Sequence, residues 1–231
     1  MSDIELISSK VEDTLSIGRE VGALVPAGTF IALTGELGAG KSHLAKGIAQ
    51  GLGVDGWAGL RSPTFTLMLT YHGGRCVLHH VDFYRLADSP NLPGEIEEVM
   101  HSKPDVCIVE WAQVWRELWP KRHLHVDMQS LDDNQRRVEI HDVGSLAPKL
   151  AAKVAKWLVE KGRSEEAVTL LAAWASQGPS DPEAHQLLAE ALRIAPGSRV
   201  AQQAFERMEG VAAGDQVELN EAIARYPLNR P

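Results

Sequence analysis

The glycine-rich segment Gly35–Ser42 constrains the fold of this chain more than any other stretch. It reads Gly-Glu-Leu-Gly-Ala-Gly-Lys-Ser and fits the pattern G-x-x-x-x-G-K-[ST], a phosphate-binding loop placed between a strand and a helix. The apolar, β-prone run Thr29–Thr34 precedes it, and apolar residues recur at helical spacing over Leu44–Leu52 behind it. A glycine-rich turn that caps an ordinary helix is the plain alternative. The two flanks favour a nucleotide site.

Each part of this loop has a predicted task. The glycines allow the backbone N–H groups to converge on phosphate at the positive end of the new helix. Lys41 is expected to neutralise β- and γ-phosphate charge, and the Ser42 hydroxyl to bind Mg²⁺. The residues predicted to contact the nucleotide are Gly35, Glu36, Leu37, Gly38, Ala39, Gly40, Lys41, Ser42 and His43.

A phosphate loop also needs acids that complete the metal shell and position water. Asp82 and Glu110 each follow an apolar strand-like run, and an acid at the carboxyl end of a buried strand lies beside the loop in such sheets. Both are predicted as catalytic and metal-associated residues, with Glu110 the stronger candidate. Thr64, in Ser-Pro-Thr, is a third candidate, because a movable loop can bring its hydroxyl to Mg²⁺ or to γ-phosphate.

Composition limits the partners of the chain. The 231 residues carry a formal net charge of −8, so no basic field draws the protein onto nucleic acid unaided, and any RNA role is expected to be indirect. Cys76 and Cys107 are far apart and read as free thiols. The first residues lack a leader-like pattern and no apolar run approaches 18 residues, so we expect a cytoplasmic protein without a membrane segment.

The order of the predicted elements indicates an α/β fold with a mixed, mainly parallel sheet and flanking helices over residues 1–145. Asp13 or Thr14 is predicted to cap the first helix, and Ser62–Tyr71 to form a strand entered through a proline. Trp111, Trp115 and Trp119 are spaced four apart, which predicts one helical face packed on the sheet or, alternatively, bound to a partner. His123 and His125 are interpreted as surface residues and not as a metal site.

From residue 146 the chain is alanine-rich and helical. A comparison of the chain with itself at an offset of 34 residues aligns Ala167 with Ala201 and Leu171 with Phe205. This spacing is typical of tetratricopeptide helix pairs, and the tail, 146–231, resembles one to two such repeats. A plain helical hairpin is the alternative. Because so few repeats rarely bury a stable core alone, we expect them to pack against a helix over 146–161 or against a protein partner.

Taken together, the motifs resemble the TsaE (YjeE) family over roughly residues 4–144. The resemblance rests on segments that occur in that family's order: Thr14-Leu15, Gly35–Ser42, Ser62–Leu67, His80–Leu86 and Val109-Glu110-Trp111. It departs from the family at Ser42 and His43, where threonines are usual, and at Ala112-Gln113, where Pro-Glu is common. Ser42 keeps the hydroxyl.

The resemblance implies an ATPase that binds a TsaB–TsaD heterodimer and supports transfer of a threonylcarbamoyl group to adenosine in tRNA. It implies ATP and Mg²⁺ as ligands, held by Lys41 and Ser42, with Thr64 in a switch-like loop and Asp82 and Glu110 as acids. Two other functions stay open from the residues themselves. One is a small-molecule kinase, although no lid-like segment is visible, and the other is an adaptor whose nucleotide site acts as a switch for the tail.

Overall fold

The computed structural model describes residues 2–142, 147–177, 182–210 and 216–226. The chain divides into two compact units, Asp3–Leu146 and Ala147–Pro231, and each is described by itself. Within the described residues, no helix is both long and apolar enough to cross a bilayer. The functions predicted for the two parts, an ATPase domain and a repeat-like tail, stay predictions.

The first unit is built on one seven-stranded sheet with the strand order β1-β7-β6-β2-β5-β4-β3. Its strands are β1 Ser2–Ser8, β2 Phe30–Gly35, β3 Met68–Tyr71, β4 Leu78–Asp82, β5 Val106–Glu110, β6 Leu124–Ser130 and β7 Arg136–Asp142. The central strand, β2, pairs in parallel with β5 and β6, and β4 pairs in parallel with β5. β3 and β7 are antiparallel to their neighbours β4 and β6. The predicted mixed, mainly parallel sheet is confirmed.

The register explains why two predicted acids meet. Asp82 is paired with Glu110 at the carboxyl ends of β4 and β5, and Leu33 of β2 is paired with Glu110 as well. Parallel strands place their carboxyl ends at one edge of the sheet, and in doubly wound folds that edge carries the ligand. The glycine-rich loop leaves β2 at this same edge.

The described part of the first unit also contains three α-helices and three 3₁₀ segments. The helices are α1 Val11–Leu24, α2 Lys41–Leu52 and α3 Gly94–Met100, and the 3₁₀ segments are Trp57–Gly59, Tyr84–Leu86 and Ala112–Leu118. α1 and α2 approach each other through glycines. A Cβ added at Gly22 would lie 2.1 Å from the carbonyl oxygen of Ile48, and one at Gly47 would lie 2.3 Å from that of Leu15. Only glycine permits this distance between the two backbones.

The predicted start of α1 is wrong. The helix begins at Val11, so Asp13 lies inside its first turn, where its carboxylate accepts a hydrogen bond of 3.0 Å from the backbone N–H of Ser9. Thr14 is likewise helical, and its hydroxyl lies 2.6 Å from that of Ser8. Both side chains belong to the first turn of the helix and hydrogen-bond residues that precede it. The acid of a capping box makes the same kind of backward contact.

Two other local predictions fail for backbone reasons. The strand predicted over Ser62–Tyr71 exists only from Met68, because Leu67 adopts a left-handed φ of 63° and its N–H is bonded to the carbonyl of Pro63 at 2.7 Å. The three tryptophans do not share one helical face, because Trp111 has a left-handed φ of 57° and Trp115 is non-helical at φ −130°. All three still pack against the sheet core around Phe30, Val81 and Val109, as predicted.

The second unit is helical, as predicted. It contains α4 Ala147–Glu160, α5 Ser164–Gln177, α6 Pro182–Ile194, α7 Arg199–Glu209 and α8 Gln216–Ala224. α5 packs against α4, α6 and α7, and α7 packs against α8. Leu171 and Phe205, which the 34-residue offset aligned, are both buried. Arg193 of α6 donates to the carbonyl oxygens of Ile223, at 2.7 Å, and of Tyr226, which satisfies acceptors at the end of α8.

Candidate functional site

The loop between β2 and α2 turns through three left-handed glycines. The φ angles are 131° at Gly35, 81° at Gly38 and 104° at Gly40, which is the residue before the first turn of α2. A Cβ at Gly35 would lie 2.2 Å from the carbonyl oxygen of Met128, so the neighbouring strand β6 excludes any side chain there. The loop consequently presents the N-terminus of a twelve-residue helix to the cleft above it.

Lys41 folds back onto the loop. Its ammonium donates to the carbonyl oxygens of Gly35 at 2.8 Å and Glu36 at 2.7 Å, and it lies 4.1 Å from the ring centre of Trp111. The residue is 4% exposed. Burial lowers the pKa of Lys41 below its ordinary value, and the nearby carboxylates of Glu110 and Asp82 act in the opposite direction.

Ser42 and Glu110 connect the helix to the sheet. The Ser42 hydroxyl donates to Oε2 of Glu110 at 2.8 Å, and the other carboxylate oxygen, Oε1, lies 2.8 Å from Nε2 of His80. Glu110 is 3% exposed and His80 is fully buried. Both oxygens of the acid are therefore held, one by the loop side of the site and one by the neighbouring strand.

Asp82 anchors the segment that contains Thr64. One carboxylate oxygen, Oδ2, accepts a hydrogen bond from the Thr64 hydroxyl at 2.7 Å and another from Ser62. The other oxygen, Oδ1, accepts the backbone N–H of Tyr84 at 2.8 Å. With Asp82 only 1% exposed, this carboxylate fixes the Ser-Pro-Thr segment over the end of β4.

These groups surround a cleft of about 470 Å³. It is lined by Leu37, Gly38, Gly40, Lys41, Ser42, His43, Ser62, Thr64, Asp82, Tyr84, Glu110 and Trp111. Two apolar side chains of its surroundings face solvent, Leu37 at 75% exposure and Phe65 at 87%. The guanidinium of Arg85 lies 5.6 Å from the Phe65 ring, as a cation over an aromatic face.

The residues predicted to bind the metal offer oxygen ligands. The hydroxyls of Ser42 and Thr64 and the carboxylates of Asp82 and Glu110 are hard ligands of the kind that Mg²⁺ prefers. Among the described residues, no group of three or more His, Cys, Asp or Glu side chains forms a self-contained metal site. This fits an ion that takes one or two protein carboxylates and completes its shell with phosphate and water.

Comparison with known proteins decides the family. The family model described as "Threonylcarbamoyl adenosine biosynthesis protein TsaE" matches residues 8–138, more than half of the chain. The chain belongs to the TsaE family. The family match thus confirms the resemblance seen in the sequence and places the chain among proteins of tRNA threonylcarbamoyladenosine biosynthesis.

Individual TsaE relatives agree. The protein named tRNA threonylcarbamoyladenosine biosynthesis protein TsaE from Bacillus subtilis is 35% identical over 134 residues, covering 58% of this chain and 82% of the relative. The protein of the same name from Treponema pallidum is 34% identical over 134 residues and is covered to 97% of its length. The crystal structure of Bacillus subtilis YdiB superposes with a TM-score of 0.53 at 28% identity, covering 67% of this chain and 95% of YdiB.

Most predicted site residues of this TsaE chain lie together in the cleft. Three of them do not line it: Gly35 and Glu36 supply backbone carbonyls to Lys41, and Ala39 is fully buried. His43 lines the cleft and is exposed. His123 and His125, interpreted as surface residues, are both partly exposed. Nε2 of His125 lies 2.8 Å from the Thr34 hydroxyl, and its ring contacts Trp119.

The sequence patterns predicted no role for Ser62, His80 or Tyr84. In the structure these three residues contact Asp82 or Glu110. A signal for His80 was present. It lies two residues before Asp82 in a strand, so the two side chains had to share one face of the sheet. For Tyr84 the contact is made by the backbone N–H, which any residue except proline would supply.

Proposed function

We propose that residues 1–145 bind and hydrolyse ATP with Mg²⁺, and that this activity supports threonylcarbamoyl modification of tRNA adenosine. The observation that carries the proposal is the 2.8 Å hydrogen bond between Ser42 and Glu110. It brings the hydroxyl of the glycine-rich loop and the acid at the end of a central strand to one point, beside the N-terminus of α2. Phosphate chemistry requires this combination of oxygen ligands and backbone donors.

The proposed division of tasks follows from the positions. The loop N–H groups and the N-terminus of α2 bind phosphate oxygens, and Lys41 exchanges its bonds to loop carbonyls for the β- and γ-phosphates. Ser42 and Glu110, with Asp82 nearby, hold Mg²⁺, which neutralises charge on the phosphate oxygens. Asp82 and Glu110 are the groups able to orient the attacking water. The Thr64 hydroxyl connects Asp82 to the Ser-Pro-Thr segment above the cleft.

We further propose that a TsaB–TsaD-like heterodimer is the protein partner and that tRNA is engaged only through it. The net charge of −8 supports the indirect role of tRNA. The exposed Leu37, which lines the cleft, and the exposed Phe65, which follows Thr64 in the chain, are the apolar side chains that a covering protein could contact. A cytoplasmic location belongs to the same proposal, because the modified tRNA is there.

The test measures ATP hydrolysis by the full chain, alone and with a purified TsaB–TsaD heterodimer. We expect turnover that rises with the heterodimer and falls at least a hundredfold in Lys41→Ala. Lys46→Ala removes the same charge from the same helix outside the cleft lining and is the matched control, with near wild-type turnover expected. The proposal is contradicted if Lys41→Ala hydrolyses ATP as fast as wild type. It is also contradicted if the wild-type chain hydrolyses no ATP, either alone or with the heterodimer.

A second candidate function concerns the tail. The second unit is compact and lies outside the family match, which supports a separate module. As the second candidate we propose that this module binds a protein under the control of the nucleotide site. Deleting residues 146–231 separates the two ideas. Loss of partner capture with unchanged ATP hydrolysis favours the adaptor, whereas retained capture by residues 1–145 contradicts it.

A further inference from the structure

His80 is a polar residue in the buried interior of the sheet. It lies in the middle of β4, is fully buried, and is flanked along the strand by buried Val81. Its Nδ1 has no hydrogen-bond partner among the described residues. An unpaired ring nitrogen in the core costs stability, so packing alone does not explain a histidine here.

The other ring nitrogen supplies the explanation. Nε2 lies 2.8 Å from Oε1 of Glu110, while Oε2 of the same carboxylate accepts the Ser42 hydroxyl at 2.8 Å. Because a carboxylate is the acceptor, Nε2 carries the ring proton. His80 is paired across the strands with Ile108, so Glu110 is its diagonal neighbour on the same face.

Two hydrogen bonds, one to each oxygen, fix the plane of the Glu110 carboxylate. The last torsion of a glutamate is broad, and a single bond to Ser42 would leave it free to turn. His80 comes from the rigid middle of a strand, whereas Ser42 is in the loop end of α2 and is itself a proposed ligand. The neighbouring strand therefore supplies the fixed support, as second partners of metal-binding groups commonly do.

We propose that His80 is a positioning residue, whose Nε2–H holds the Glu110 carboxylate in the orientation that binds Mg²⁺ beside the nucleotide. This inference rests on the proposed ATP and Mg²⁺ site. In this inference His80 contacts neither substrate nor metal. Its role depends on the hydrogen bond to Glu110, so another side chain with an N–H at the same place should replace it.

The test uses the full chain and three variants of one position. His80→Gln reaches the place of Nε2 with an amide N–H, His80→Asn stops at the place of Nδ1, and His80→Leu has no donor. Calorimetry measures the Kd of ADP in EDTA and then the Kd of Mg²⁺ for the protein–ADP complex. We expect Asn and Leu to weaken Mg²⁺ binding about 10- to 100-fold. The Kd of Mg²⁺ for His80→Gln should stay within about threefold of wild type. The Kd of ADP in EDTA should stay within about twofold of wild type in all three variants.

The outcomes separate the two proposals. If wild type binds ADP and Mg²⁺ but His80→Asn binds Mg²⁺ equally well, or His80→Gln is as impaired as His80→Asn, this inference alone is overturned. A parallel loss of ADP affinity in EDTA indicates a merely structural role and overturns it too. If wild type binds no ADP, the proposed function fails. The comparison of His80→Asn with His80→Gln remains valid even if His80→Leu does not fold. In a Glu110→Gln background, His80→Asn should cause no further loss of Mg²⁺ affinity.

Discussion

The ammonium of Lys41 lies 4.1 Å from the ring centre of Trp111, so the loop and the residue after the acid of β5 are in direct contact. The contact exists because Trp111 adopts a left-handed backbone immediately after Glu110, which turns its ring towards the loop. Left-handed conformations of large residues are costly and concentrate at functional sites. Burial lowers the pKa of Lys41, and the Trp111 ring is one of the groups packed against its ammonium.

We predict that Lys41 and Trp111 are energetically coupled. A cation over an aromatic face contributes about 0.5–2 kcal/mol, more when it is shielded from water. A double-mutant cycle of Lys41→Met and Trp111→Leu, measured by urea denaturation of the nucleotide-free protein, should give a coupling energy of about 1 kcal/mol. The pair Arg116 and Trp119, separated by 5.4 Å with Arg116 exposed, is the comparison and should couple more weakly. Equal coupling in the two pairs would contradict the prediction.

The Thr64 hydroxyl is predicted to matter for turnover. Thr64→Val keeps the shape of the side chain and removes the 2.7 Å bond to Asp82, leaving only the bond from Ser62 on that oxygen. We expect kcat for ATP to fall about tenfold, from loss of one hydrogen bond to a charged group. Thr64→Ser should restore it, and Thr66→Val, at an exposed position of the same segment, is the control. Equal activity in Thr64→Val and Thr66→Val would refute the assignment.

Substitution in the helix crossing is predicted to destabilise the first unit. The Cβ of Gly22→Ala would lie 2.1 Å from the backbone oxygen of Ile48, which cannot move without displacing α2. The free energy of unfolding should fall by about 1–3 kcal/mol, the usual cost of overpacking. Gly59→Ala is the control, because nothing lies within 4 Å of its added Cβ and its φ is not left-handed. Comparable urea midpoints for both variants would show that the crossing tolerates a side chain.

Stability is predicted to fall in mild acid because of His125. Burial, followed by the charge of His141, lowers its pKa from 6.5 to about 4. Between these values the unfolded chain binds the proton and the folded chain does not, so stability is fully present above pH 6.5 and is lost as pH falls towards 4.

The loss should be measurable by urea denaturation across this pH range. A shift of this size corresponds to about 3 kcal/mol, and partial exposure of the ring reduces it to on the order of 1–2 kcal/mol. His125→Gln, which does not titrate, should flatten the pH dependence relative to wild type. His101→Gln, at an exposed histidine, should leave the slope unchanged. A slope that survives His125→Gln would assign the effect to other groups.

Local sequence patterns predicted those features that depend on residues close together in the chain. The loop at Gly35–Ser42, its strand and helix, and the tail helices all follow from turn chemistry and periodicity within a short window. Apart from the start of α1, the boundaries that failed involve Leu67 and Trp111, where left-handed backbones interrupt otherwise regular runs. Neither residue type favours that conformation, so the surrounding contacts impose it.

The sequence by itself determined that Asp82 and Glu110 end apolar strands and that a glycine-rich loop precedes a helix. It did not determine the order of the central parallel strands. The order β2-β5-β4 at the centre of the sheet brings Glu110 between Ser42 and His80, residues 68 and 30 positions away in the chain. Strand order and register are decided by packing between distant segments, and no local spacing records them. The glycine-rich loop is thus a property of the sequence. The position of Glu110 between Ser42 and His80 is a property of the tertiary structure.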